Sequence, residues 1–160
     1  MLKQFARYLL PYWLKIALKR AYYTFQDILD LLGKKRDPLY PPKRLNFVGS
    51  AEFKKIGDEF LGHFKTLGGL KPNDSVLDIG CGVGRMAIPL THYLKQGNYV
   101  GFDIVKRGIT WCQKNITPKH PHFRFVHANV KNKFYNAKGT VASEDYTFPA
   151  EDKKFDFFIW

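Results

Sequence analysis

Apolar residues recur every three or four positions at the start of the chain. Leu14, Leu18, Ala21, Phe25, Ile28 and Leu32 fall on one helical face, and Lys15, Lys19, Gln26 and Asp30 on another. This pattern predicts an amphipathic helical arm over residues 1–36. Pro11 starts or kinks it, and Gly33 with the run Lys34–Lys35–Arg36 closes it. The stretch Asp37-Pro38-Leu39-Tyr40-Pro41-Pro42 cannot continue a helix, so residues 37–44 read as a Pro-rich linker. A second helix is expected from Ser50, its capping residue, to Leu67. Phe53, Ile56, Phe60, Leu61, Phe64 and Leu67 form its apolar side, and Gly68–Gly69 ends it.

Beyond the Lys71-Pro72-Asn73-Asp74 turn the period changes. Ser75–Ile79, Asn98–Asp103, Phe123–Ala128 and Phe155–Trp160 read as buried strands. Helices are expected between them at Arg85–Leu94, which contains Pro89, and at Lys106–Ile116, which contains Gly108. Residues 130–153 read as loop. Strand–helix–strand–helix–strand with short links predicts an α/β fold with a parallel sheet over residues 45–160.

The richest chemistry follows the first strand. Asp78-Ile79-Gly80-Cys81-Gly82-Val83-Gly84-Arg85 places glycines where the chain must turn off the strand tip and let a ligand lie against bare backbone. A dinucleotide fingerprint counted from Gly80 would need a third glycine at position 85, which is Arg85, and the loop lacks the G-K-[ST] ending of a P-loop. The acid at Asp78 suits a cationic amine better than a pyrophosphate. Asp103 ends the second strand, 23 positions beyond Gly80, where a carboxylate commonly accepts ribose hydroxyls. The alternative role is to cap the helix that follows, but beside the glycine loop the ribose role is favoured.

Composition narrows the class further. The chain has 160 residues, 45% of them hydrophobic and 16% aromatic, which excludes a disordered chain. Two cysteines, Cys81 and Cys112, cannot make a disulfide framework. Lys and Arg total 26 against 14 Asp and Glu, a formal charge of +12. Residues 1–44 hold ten basic and three acidic residues, so the charge is concentrated in the arm. An acidic partner is implied, and the amphipathic pattern favours a membrane surface, with Tyr12, Trp13 and Tyr22 at headgroup depth. No signal peptide or spanning segment is read.

The chain resembles the class I S-adenosylmethionine (SAM)-dependent methyltransferases. The resemblance is carried by Gly80–Thr91 (GCGVGRMAIPLT) and Gly101–Ile104 (GFDI) and covers about residues 45–160. It implies a Rossmann-like parallel sheet, SAM as cofactor, and methyl transfer to an unidentified acceptor, a small molecule or a lipid or glycan. Asp78, Gly80, Cys81, Gly82 and Gly84 would match the loop around the methionine end of the cofactor. Asp103 would match the ribose-binding acid, and Ile104 would lie against adenine. Asn129 stands where the family often has Asp touching the adenine amino group. The family continues past strand four with further strands, so the chain is expected to be incomplete at its C-terminus, with strand four beside strand one.

Methyl transfer from a sulfonium is an in-line displacement that needs mainly alignment and exclusion of water. No general base stands out. His63 and His92 read as structural or surface residues, His127 sits near the end of strand three, and His120 and His122 flank Pro121 without the carboxylates or thiols of a metal site. Cys112 reads as core. The expected location is cytoplasmic, peripheral to the inner face of the membrane. Three readings compete: a non-catalytic SAM-binding module, an RNA methyltransferase prompted by the charge but lacking any RNA-binding motif, and a nicotinamide-dependent oxidoreductase opposed by the glycine spacing.

Overall fold

The computed structural model describes residues 11–33, 37–46, 52–149 and 154–160. Helix α1 spans Tyr12–Leu32, with Pro11 at its N-cap and the Gly33 N–H closing on Leu29. A single 3-10 turn, Lys43–Leu45, follows. Then come α2 (Phe53–Thr66), β1 (Val76–Ile79), α3 (Ala87–Tyr93), β2 (Tyr99–Asp103), α4 (Lys106–Asn115), β3 (Phe123–His127) and β4 (Phe157–Ile159). The expected basic helix end at 34–36 and the expected cap Ser50 lie outside the described residues.

All four strands are parallel, in the order β3-β2-β1-β4. The chain builds outward from β1 through β2 to β3, then returns to lay β4 on the other side of β1. Asp78 stands opposite Gly101 of β2 and Ile159 of β4. Alternation along the strands sends side chains to two faces. Val76, Tyr99, Phe123 and Phe125 join Ala87, Ile88, Leu90, Ile109, Cys112 and Ile116 in the main core under the helices. Leu77, Val100, Phe102 and Ala128 form a smaller cluster on the opposite face. Cys112 is fully buried, as expected of a core residue.

The region expected to be a linker is packed. Leu39, Pro41 and Pro42 are buried, and Leu39 belongs to the main core. Prolines forbid helix here but do not prevent docking, so the composition marked the break in secondary structure and not a free tether. The described residues between β3 and β4 form no regular strand. Their turn is held locally: the Asn132 side-chain oxygen accepts the Phe134 and Tyr135 N–H groups, both at 3.0 Å.

A glycine loop and two carboxylates at the point where the strand order reverses

In an open parallel sheet, ligands bind beyond the carboxyl ends of the strands where the strand order reverses. Here that point lies between β1 and β4. A cleft of about 470 Å³ opens there, within the range of small-molecule sites. It is lined by Asp78–Val83 from the end of β1, Asp103 from β2, and Phe157–Trp160 from β4.

The loop after β1 is fixed by backbone contacts. The N–H groups of Gly80 and Cys81 both donate to the Phe102 carbonyl, at 2.8 and 3.1 Å. Gly80, Gly82 and Gly84 have φ of 84°, 60° and 78°, a left-handed region that other residues adopt only under strain. A Cβ on Gly80 would meet nothing within 4 Å, because that side of Gly80 faces the open cleft. Two glycines elsewhere permit the loop's close seating. A Cβ on Gly108, in the first turns of α4, would come within 2.5 Å of the Gly82 carbonyl oxygen. A Cβ on Gly101 would come within 2.9 Å of the Cys81 sulfur. Gly108, a poor helix former within the expected helix, is thus what lets α4 approach the loop.

Asp103 is held by the loop it faces. Its Oδ2 accepts the Gly82 N–H at 2.9 Å, and its Oδ1 accepts the Val105 N–H at 2.6 Å at the start of α4. The capping role and a ligand role are compatible, since each carboxylate oxygen keeps a second lone pair. Asp78 is 2% exposed and accepts the Tyr99 hydroxyl at 2.5 Å. Burial raises its pKa to about 7, the Tyr99 hydrogen bond opposes that rise, and the Asp103 charge adds to it. Burial pushes the Cys81 thiol well above its usual range, so it is no nucleophile.

The other walls are aromatic. Phe53, Phe60 and Phe64 project from α2, and Met86 and Arg85 lie beyond the loop. The Arg85 guanidinium donates to the Asn46 side-chain oxygen at 3.1 Å and sits 5.3 Å over the Phe53 ring. A Cβ on Gly57 would come within 2.6 Å of the Arg85 carbonyl oxygen, so α2 also approaches the loop through a glycine.

The structure therefore brings Asp78, Gly80, Cys81, Gly82 and Asp103 to one cleft. Three expected cofactor residues stand elsewhere. Gly84 faces the core, where a Cβ would come within 2.9 Å of Ile116 Cδ1 and 3.3 Å of the Cys112 sulfur. Ile104 packs against the smaller cluster, and its carbonyl hydrogen-bonds His127 Nε2 at 3.2 Å. Asn129 donates to the Thr140 hydroxyl at 2.8 Å and accepts from the Asn136 amide at 3.3 Å, which ties down the loop after β3. Ile104 and Asn129 stand at the same end of the sheet as the cleft but do not line it.

His127 is thereby outside the cleft too. His63 and His92 are on the surface, and the rings of His120 and His122 lie 6.2 Å apart. Among the described residues no three His, Cys, Asp or Glu side chains cluster as metal ligands would. Sequence reasoning missed Asn46, Arg85 and Tyr99. No local spacing links Tyr99 to Asp78, since their contact runs between neighbouring strands. The phenylalanines of α2 were read as its apolar side, and periodicity alone does not separate a core wall from a cleft wall.

Comparison with known proteins returns one family and several solved structures. Residues 76–143 match a family described as a methyltransferase domain. A SAM-dependent methyltransferase from Aquifex aeolicus aligns at 21% identity with a TM-score of 0.44, over 77% of this chain and 55% of its own. A coclaurine N-methyltransferase bound to N-methylheliamine and S-adenosylhomocysteine aligns at 11% identity with a TM-score of 0.43, over 79% and 42%. The chain thus spans about half the length of these solved proteins. Over residues 76–143 the chain is similar to a methyltransferase domain.

Proposed function

We propose that this chain forms the cofactor-binding part of an enzyme that transfers a methyl group from SAM to a small-molecule or lipid-like acceptor. The observation that carries the reading is the meeting of the glycine loop, Asp78 and Asp103 in one cleft where the strand order reverses. The residues suit the cofactor. Gly80 leaves open the space a side chain would fill, and two carboxylates face a cleft whose other walls are largely aromatic and aliphatic, with Arg85 and Asn46 at the rim.

The cofactor supplies a methyl group already activated on a sulfonium. Asp103, fixed by the Gly82 and Val105 N–H groups, accepts the ribose hydroxyls. Asp78 accepts the ammonium of the methionine end, which favours its ionised form over the protonated one. The positive-φ glycines let the ligand lie against the loop backbone. The aromatic walls from α2 and β4 exclude water and favour an apolar or amphiphilic acceptor over a highly charged one. Arg85, held by Asn46 over Phe53, supplies a cation at the rim.

The test is methyl transfer from labelled SAM to pooled small-molecule and lipid acceptors. Label is expected in an organic-soluble product with the unaltered chain and in smaller amount with Asp103→Ala at limiting SAM. Binding of S-adenosylhomocysteine without any transfer would instead mark a cofactor-binding module without turnover.

A further inference from the structure

Helix α1 is amphipathic in the reverse sense for a helix docked on a protein. Its polar side faces the rest of the molecule. Asp27, 4% exposed, accepts the backbone N–H groups of Lys43 and Arg44 at 2.6 and 3.2 Å and pairs with the Arg44 guanidinium at 3.0 Å. Asp30 pairs with the Lys43 ammonium at 2.8 Å, and Gln26 accepts from the same ammonium at 3.4 Å. The apolar side faces outward. Leu18, Phe25, Ile28, Leu29 and Leu32 are between 46% and 76% exposed, and Trp13 is 68% exposed. At 100° per residue, Leu18, Ala21, Phe25, Ile28, Leu29 and Leu32 fall within an arc of about 100° that holds no charged residue. Arg20 lies beyond one margin of this arc, and Lys15 and Lys19 beyond the other.

We propose that α1 lies in the interface of an anionic lipid membrane, its apolar face buried among the acyl chains near the headgroups. Three observations select this occupant. The acids of the helix are turned inward and paired with Lys43 and Arg44, so the outward side presents only apolar groups bordered by cations. That is the arrangement in which lysine and arginine reach headgroup phosphates while the apolar stripe is buried. A second copy of the chain would bring another +12 charge against the same face, whereas an anionic surface neutralises it. The helix also lies flat instead of crossing, since no helix among the described residues is long and apolar enough to span a bilayer.

A short chain of hydrogen bonds joins the helix to the rim of the cleft. Asp27 of α1 fixes the Lys43–Leu45 turn, the next residue, Asn46, accepts from Arg85, and both Asn46 and Arg85 line the cleft.

The test is co-sedimentation of the full chain with vesicles of phosphatidylcholine alone or mixed with phosphatidylglycerol. Sedimentation is expected with the mixed vesicles, weakening as salt rises, and only weakly with phosphatidylcholine alone. Leu18→Glu with Phe25→Glu should reduce it by at least about tenfold, with the circular dichroism spectrum unchanged because both positions are exposed. Bromine-labelled lipids should quench the fluorescence of the unaltered chain, and Trp13→Phe should remove that quenching. A folded chain that stays in the supernatant with every vesicle overturns the proposal. So does equal sedimentation with both vesicle types, or a dimer by light scattering that the double glutamate variant converts to monomer.

Discussion

The end of the sheet and the N-terminal helix solve opposite packing problems. At the sheet end, carboxylates are turned into an apolar environment: Asp78 is buried beside Tyr99, and Asp103 is fixed by two backbone N–H groups. In α1 the carboxylates of Asp27 and Asp30 are also turned inward, but they meet Lys43 and Arg44, while the large apolar side chains face out. A buried acid with a cation is satisfied and structural. A buried acid with only a hydroxyl partner in a cleft is incompletely satisfied, and a cationic ligand group can complete it. The pairing of the acid, more than its burial, separates the binding region from the anchoring region.

The largest expected effect follows from Asp78. Its folded pKa of about 7 lies above its ordinary carboxylate value, so between about pH 4 and 7 the folded chain holds a proton that the unfolded chain has released. Stability is therefore full below about pH 4, falls as pH rises to about 7, and levels off beyond. The fall attributable to this group is on the order of 4 kcal/mol. Urea titrations across pH should show it, and Asp78→Asn should flatten it. A cationic ligand reverses the preference, so S-adenosylhomocysteine should bind more tightly at pH 8 than at pH 6, an effect Asp78→Asn removes.

Next in size is Gly108→Ala. The added methyl meets the Gly82 carbonyl oxygen and must push α4 or the loop aside, at a cost of about 1–3 kcal/mol in stability and a loss of ligand affinity. Asp103→Ala removes a charge-assisted acceptor and should weaken S-adenosylhomocysteine binding by about 1–3 kcal/mol in calorimetry. The smallest effect on the fold belongs to Phe25→Glu on the outward face of α1. Thermal melting should move by no more than about 0.5 kcal/mol equivalent, and ligand affinity should hold, while vesicle binding falls. A substitution on α1 that abolished ligand binding would break the contrast between the two regions.

Much of this architecture was legible in the sequence because the signals are local. The strands expected at Ser75–Ile79, Asn98–Asp103 and Phe123–Ala128 follow from short apolar runs and are found within a residue at either end, and Asp103 was placed by its distance from the loop. The roles of individual glycines were not legible. Gly80, Gly82 and Gly84 share the same backbone sign, yet only the first two face the cleft, because Gly84 is set by α4 packing against it. Asn129 was placed by analogy with an acid, and its amide is engaged by Thr140 and Asn136, residues that no spacing brings near. The outward turn of the α1 apolar face was equally hidden. Periodicity reveals that a helix has two faces, but contacts with Lys43 and Arg44 decide which one faces the protein.

Calorimetric titration of S-adenosylhomocysteine into the full chain at pH 8, with NAD as the control ligand, tests the cofactor assignment most directly. Saturable binding of S-adenosylhomocysteine in the micromolar range, lost in Gly82→Val and absent for NAD, is the predicted result. A chain that circular dichroism shows to be folded but that binds NAD equally well, or binds neither, would contradict it.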